Sequence, residues 1–509
     1  MIVAVLLLVS AVALVAITRD IYRKWTSRLP PGPKGSVLVG NLFQVPATFL
    51  HRKLHEWSLK HGSLYTIWMG SQAYVVVNSV QVAADIFDRM SGTTSERPMM
   101  IKGRQFYVRD LLLQTQGHTL QWRANRRAVH ANMNIRAASR FHPMQEHDAA
   151  YFALGLIQYP EKKYDKHCHR FATSMISGAL YGKRIDHKDD SRLLHKIEEM
   201  TQRLMEALMP QNSVVDTLPF LEPVIRRVKW FRKQSDDWHE EATMEGFRLY
   251  NAANETDSWG AITTVQDFET NREKYGLSRD DAMWDTLALY MAGQETTHTV
   301  MRIFALAMLH NPAVMRTAQR QLDAICENRT PTFEDRPKLP YIEAVALEAA
   351  RWRAPVPTSV LHAASAEFVY EGYTIPKDTI LVDNLWSQTR DASVYPDPEA
   401  FNPSRYLDQT TGTLLPPTAD THLSLLAFGH GRRVCPGRDF ALNSVFIACA
   451  YLLWAFDFSW PVDEHGNEIK CGVDEMVDHA IVVTPRPFDF VLTPRQKDLE
   501  ERLTVAMKA

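Results

Sequence analysis

The chain has 509 residues, and its 57 Lys and Arg against 59 Asp and Glu leave a formal net charge of −2. That balance excludes a basic nucleic-acid binder and an acidic tail protein, and a hydrophobic share of 45 % excludes a disordered chain. Five cysteines, at Cys168, Cys326, Cys435, Cys449 and Cys471, are too sparse and too odd a set for a secreted disulfide scaffold.

Residues 1–18 are apolar apart from Ser10 and Thr18, which is the short end of what spans a bilayer as a helix. No Lys or Arg precedes this run, whereas Arg19, Arg23, Lys24 and Arg28 follow it. The charge bias places the body of the protein in the cytosol. The alternative, a cleaved signal peptide, lacks both the basic leader and a small-x-small cleavage site. In residues 19–40 the prolines of Leu29-Pro30-Pro31-Gly32-Pro33 disfavour helix and make a stiff hinge. The expected organisation is an anchor over 1–18, a basic, proline-rich hinge over 19–40, and one large domain over 41–509.

Within that domain, 64–69 and 74–78 read as strands of a hairpin around Gly70-Ser71. Helical periodicity then predicts helices over 81–88, 122–132, 144–159, 171–181, 193–207 and 236–252. The basic stretch 226–233 is open to two readings, a membrane-facing patch or a solvated charged turn. The longest helix is expected over 279–309, opened by Ser278 with Asp281 in a near capping box and closed by Asn311-Pro312. A further helix runs from Pro340 to Trp352, stopped by Pro355 and Pro357. Strands are predicted over 368–373 and 379–382, a helix over 437–453, and a closing hairpin from 480–484 and 488–492. The fold class expected is mainly α with small β-sheets.

Chemistry concentrates in Phe428-Gly429-His430-Gly431-Arg432-Arg433-Val434-Cys435-Pro436-Gly437. Its glycines make a tight loop where backbone can approach a flat ligand. A thiolate at a helix start is stabilised by free N–H groups and the helix dipole, which lowers its pKa, and Arg433 adds positive charge. The bland reading of Cys435 is a small buried hydrophobe. Cys168 lies between His167 and His169, a metal-like setting without a further ligand at sensible spacing.

This segment resembles the haem-binding loop of the cytochrome P450 monooxygenases, Phe-x-x-Gly-x-x-x-Cys-x-Gly. The resemblance implies the cytochrome P450 fold, haem b (iron protoporphyrin IX) as cofactor, and Cys435 as the axial thiolate on its iron. Phe428 would pack beside the ring, Gly429 and Gly437 would shape its cradle, and Arg433 would meet a propionate. Trp122 and Arg126, four apart on one helix face, and His362 stand where the family places further propionate partners, although Leu361 replaces a usual proline. Ala292-Gly293-Gln294-Glu295-Thr296-Thr297 resembles the oxygen-activation motif, with Thr296 at the distal face and Glu295 in the proton path; the ordinary alternative is threonines bonding back to the preceding turn. Glu348, Arg351 and Arg405 match a buried structural cluster, with Tyr406 where the family has Phe.

From that resemblance the expected reaction inserts one oxygen atom of O₂ into a substrate and releases the other as water. Electrons would come from NADPH through a membrane-bound cytochrome P450 reductase, with cytochrome b5 as an additional partner. By family position Tyr107, Phe220, Tyr290 and Met291 line the substrate chamber, joined by Val356, Val360 and Val477. The apolar, bilayer-linked setting in the endoplasmic reticulum implies a lipophilic small molecule, and the general character is that of fungal secondary metabolism. Rival readings are a haem-thiolate isomerase or dehydratase that uses no external electrons, a haem sensor or carrier, and a membrane scaffold without cofactor.

Overall fold

The structure is a computed structural model that describes residues 18, 26–186, 192–208, 213–217, 222–253, 261–416 and 426–508. The apolar run 1–17 and Phe220 lie outside the described residues. No described helix is long and apolar enough to cross a membrane. The chain divides into two compact units, one of residues 1–98, 358–391 and 430–433, the other of 99–357, 392–429 and 434–509.

The first unit is built on a four-stranded sheet of β1 (Leu64–Met69), β2 (Gln72–Val77), β3 (His362–Ala363) and β6 (Ile380–Asp383), in the order β1-β2-β6-β3. β1 and β2 form the antiparallel hairpin expected, with Leu64 opposite Val77 and Met69 opposite Gln72. The hairpin turns earlier than the sequence suggested, because Gln72 and Ala73 already pair. β2 lies parallel to β6, and β3 antiparallel to it. Alternation sorts β2 onto two faces: Val75 and Val77 pack with Ile86 and Phe87, whereas Val76 packs with Leu54 and Trp57 of α1 (Leu50–His61). The predicted helix over 81–88 is a short α-turn that widens into a π-helical turn, Ala84–Arg89. The expected single strand over 368–373 is instead a hairpin, β4 (Phe368–Tyr370) and β5 (Tyr373–Ile375), because Glu371 and Gly372 take positive φ and reverse the chain.

The second unit is helical around one large apolar core. Its main helices are α2 (Leu120–Met133), α3 (His142–Gln158), α4 (Tyr164–Tyr181), α5 (Arg192–Leu208), α6 (Lys229–Ala253), α7 (Thr264–Tyr275), α8 (Arg279–His310), α9 (Pro312–Cys326), α10 (Pro340–Trp352), α11 (Arg438–Ala455) and α12 (Leu499–Ala506). α8 has 32 residues and a complete capping box: the Ser278 side chain accepts from the Asp281 N–H, and Asp281 accepts from the Ser278 N–H. Asn311-Pro312 ends it as expected, but Pro312 then opens α9, since a proline at the first position costs no helical hydrogen bond. Residues 226–233 are helical on either side of Val228, in Glu222–Arg227 and the start of α6, rather than a turn.

The closing hairpin is a correction. β8 (Met476–His479) pairs with β9 (Val482–Pro485), while β10 (Val491–Pro494) pairs with β7 (Phe456–Ser459). Residues 488–490 pack instead as a ring cluster, Phe458 and Phe490 stacking at 5.7 Å with Phe488 beside them. Alternation marks a strand but does not choose its partner.

Candidate active site

In the second unit the two ends of the cysteine loop, Phe428–Gly429 and Val434–Gly437, are tied together. The Cys435 N–H donates to the Phe428 carbonyl at 2.8 Å, and Gly429 takes φ +74°, a left-handed turn that suits glycine. Gly437 caps α11, and a Cβ built on it would meet nothing within 4 Å. Burial pushes the Cys435 thiol up, against the backbone N–H of Gly437 and the charges of Arg126 and Arg438, which pull it down. This corrects the expectation of a lowered thiol. Helix start and nearby cations are present, but desolvation outweighs them in the protein alone, and the cations that act are Arg126 and Arg438 rather than Arg433.

Arg126 on α2 donates through Nη2 to the carbonyl of Val434, the residue before the cysteine. The side chain expected to hold a propionate therefore also holds the loop. Trp122 is buried one turn earlier, its ring edge-on to His118 at 5.2 Å, and Thr119 caps the helix by accepting from the Trp122 N–H.

On α8 the flanks 281–291 and 297–309 are buried throughout, but Ala292 is exposed and Gly293, Glu295 and Thr296 are partly so. One turn of an otherwise buried helix is thus open where its side chains are smallest, which fits the approach of a planar group. The Thr296 hydroxyl donates to the Ala292 carbonyl at 2.8 Å, the back-bonded geometry of an ordinary helical threonine. Gln294, which sequence reasoning passed over, is buried on the other side of the helix and meets His169 of α4. His169 in turn pairs with Glu198 at 2.6 Å. His298 bonds Asp165 at 2.9 Å, and Asp165 falls to about 2 because the bond from His298, its charge and Arg302 overcome burial.

Glu348 on α10 is fully buried, and its oxygens accept from Arg351 Nε and Nη2 at 2.7 and 2.8 Å. The backbone N–H of Asn402 at 2.9 Å, Arg405 Nε at 3.2 Å and the Tyr406 hydroxyl at 3.1 Å complete the shell. Arg351 also donates to the Pro398 carbonyl and Arg405 to that of Pro396. The cluster expected from the motif is assembled, and the departure to Tyr406 adds a donor to it.

In the first unit, Arg433 Nε donates to the Ser95 carbonyl at 2.9 Å. His362 Nδ1 donates to the Thr94 carbonyl at 2.9 Å, and burial with the charge of Arg97 drives its pKa well down, leaving it neutral. Arg97, also missed, donates to the carbonyls of Val360 and Leu361 at 2.5 and 2.7 Å. Of the proposed chamber residues, Tyr107 is buried with its hydroxyl on the Met200 carbonyl, and Tyr290 lies 6.0 Å from Tyr181. His167 bonds the Tyr159 carbonyl beside a fully buried Cys168. Among the described residues no group of three or more His, Cys, Asp or Glu is placed to hold a metal ion.

The family model for cytochrome P450 matches residues 30–490. The chain belongs to the cytochrome P450 family. Among its relatives, cytochrome P450 monooxygenase 58 of Postia placenta is 33 % identical over 507 residues, 99 % of this chain and 96 % of that protein. A cytochrome P450 monooxygenase of Armillaria gallica is 34 % identical over 510 residues, 97 % of this chain and 95 % of its own. The monooxygenase virE of Hypocrea virens is 29 % identical over 473 residues, covering 92 % and 86 %. This P450 is accordingly a monooxygenase of the fungal type, an oxidoreductase that uses haem-thiolate iron and O₂. The residues present suit that cofactor: a thiol at a glycine-shaped helix start, arginines beside it, and an open turn of small residues on the long helix.

Proposed function

We propose that this P450 is a membrane-anchored, reductase-dependent monooxygenase that oxidises a lipophilic small molecule of fungal secondary metabolism. The observation that carries the site assignment is the loop from Phe428 to Gly437, whose ends are tied by the Cys435 N–H to the Phe428 carbonyl, with the half-buried Cys435 beside an N–H donor and two cations. Bound haem supplies oxygen binding and O–O cleavage, which thiolate ligation favours. Cys435 would be the iron ligand, and bound iron would favour the thiolate over the thiol. Phe428 and the glycines Gly429 and Gly437 would hold the ring. By family position Arg126 and Trp122, and separately Arg433 and His362, would serve as its propionate partners, Arg126 while keeping Val434 in place. A neutral His362 has a single ring N–H and spends it on the Thr94 carbonyl, so it could donate to an anion only by giving up that bond, which makes His362 the weakest of the four as a propionate partner. Thr296 and Glu295 hold and pass protons at the open turn of α8, the hydroxyl turning there from the Ala292 carbonyl. Glu348, Arg351 and Arg405 fix the chain that leads to the loop.

The apolar run 1–17 followed by basic residues supports a single-pass anchor in the endoplasmic reticulum, with the catalytic domain in the cytosol. The same reading is supported by an exposed basic and apolar surface: Val224, Trp230 and Phe231 stand out beside Arg226, Arg227, Lys229 and Lys233. Exposed Arg432 suits an acidic electron donor such as the NADPH-dependent reductase, with cytochrome b5 as a second.

The test is the carbon monoxide difference spectrum of the reduced, detergent-solubilised protein, followed by turnover with reductase and NADPH. Wild type should give the long-wavelength Soret band of a thiolate–haem site, and Cys435→Ala should lose both the band and all product. A Cys435→Ala protein that kept them would overturn the ligand assignment. Product formed without NADPH would favour an isomerase or dehydratase.

A further inference from the structure

His430 stands inside the cysteine loop, between Gly429 and Gly431, and the chemistry above gives it no part. Its surroundings in the first unit fix its charge. Gln388 donates through Nε2 to Asp383 at 2.6 Å and to the Val77 carbonyl at 3.5 Å. A backbone carbonyl can only accept, so that end of the amide is the NH₂ group, and the oxygen Oε1 is the atom that faces His430 Nε2 at 3.4 Å. The other ring nitrogen, Nδ1, faces the Asp88 carboxylate at 3.3 Å. Both nitrogens thus look at oxygen acceptors. A neutral imidazole carries one N–H and one lone pair, and in either tautomer the lone pair would oppose an oxygen.

We propose that His430 is a buried imidazolium clasped between Asp88 and Gln388, and that it is a positioning residue for the loop that presents Cys435. The clasp has a second jaw. Asp88 also accepts from the Gly431 N–H at 2.5 Å. Gly431 sits at φ +52°, where a Cβ would come within 2.1 Å of the Phe87 carbonyl, so this glycine lies directly on the π-helical turn Ala84–Arg89. His430 is also stacked on Phe87 at 6.1 Å. The charged and titratable groups around it are Asp88 from that turn, Asp383 from β6, Arg97, His362 from β3, and Arg433 in the loop itself. Burial works against the charge on His430, but Asp383 and the bond and charge of Asp88 outweigh it and raise its pKa. His362, by contrast, is held neutral. A group whose folded pKa is raised stabilises fully below its ordinary value of 6.5 and loses that contribution as pH rises through the folded value. The clasp is therefore closed below the ordinary histidine value and opens as pH rises through the raised folded value.

The role in presenting Cys435 rests on the ligand assignment proposed above, whereas the charge of His430 does not. The experiment is ¹⁵N NMR of the full-length, histidine-labelled, reduced and CO-bound holoenzyme, with the His430 signals assigned by their loss in His430→Gln. Both ring nitrogens should be protonated at about pH 7, with a midpoint above the ordinary histidine value. A singly protonated His430 at that pH overturns the proposal. In Asp88→Asn, which keeps an acceptor but removes the charge, the midpoint should move down, and the thiolate-type CO band should be lost at correspondingly lower pH. An unmoved midpoint, or a band weakened equally at every pH, would make His430 a neutral packing residue. If His430→Gln does not fold, the signal that moves in Asp88→Asn gives the assignment. A protein lacking any CO band would sink the haem reading, and the nitrogen titration would still decide the charge of His430.

Discussion

In the helical unit Glu348 on α10 and Asp285 on α8 are equally and completely buried carboxylates, yet their surroundings are opposite. Glu348 accepts from two guanidinium groups, one backbone N–H and one phenol. Asp285 has one neutral neighbour in hydrogen-bond reach, the Asn125 amide at 3.4 Å, and the charge of Asp281 nearby. Burial and Asp281 push the Asp285 carboxyl well above the ordinary range. The difference teaches that burial alone does not set what a carboxylate does: a complete shell of donors makes it a structural anchor, and an incomplete one favours its protonated form.

The largest effect expected from breaking the comparison is at Glu348. Glu348→Gln removes the charge but leaves Arg351, itself 2 % exposed, without its counter-charge. Removing one partner of a buried pair costs about 3–5 kcal/mol. The chain at 396–406, tied to the cluster through Pro396, Pro398 and Asn402, should loosen with it. Thermal unfolding and haem retention are the measurements. A variant with wild-type melting and full haem content would show that the cluster bears no structural weight.

A smaller effect sharpens the same point. Tyr406→Phe restores the ring usual in the family and deletes one donor of several. The expected loss is about 1.5–3 kcal/mol, the range for a hydrogen bond to a charged group, with the CO spectrum unchanged. A loss as large as that of Glu348→Gln would mean that the phenol, not the arginines, keeps the carboxylate in place.

The motif spacing made Glu348, Arg351 and Arg405 legible in the sequence, and their assembly needed only that α10 and the following loop meet. The other half of the shell was not legible. The Asn402 N–H and the Tyr406 hydroxyl become donors only when the chain returns to α10, and spacing does not report on that return. The same limit explains the cysteine. The helix start, the glycines and the nearby arginines can be read from residues 428–438, so the loop was legible. The sign of the thiol's shift was not, because desolvation is set by everything packed around Cys435. Capping is local, and the box at Ser278 and Asp281 was read correctly. Strand partnership is non-local, and 480–484 and 488–492 were wrongly paired for that reason. His430 was visible as a histidine in a glycine loop, but Asp88, Asp383 and Gln388 reach it from other parts of the chain.

The smallest effect lies on the other side of the comparison. If Asp285 is protonated at neutral pH, its folded pKa stands above its ordinary value of 3.8, and the folded state binds the extra proton. Stability from this group is then unaffected below that value and falls as pH rises from it toward the folded pKa. Asp285→Asn supplies a neutral side chain of the same shape and has no such slope. The variant should match wild type within about 0.5 kcal/mol near pH 4, the scatter expected of a mild substitution, and should gain on it steadily up to about pH 8. Melting temperatures of both proteins across that range are the check. A variant that instead lost ground with rising pH would mean that Asp285 is ionised in the fold, and that a donor other than Asn125 stabilises its charge.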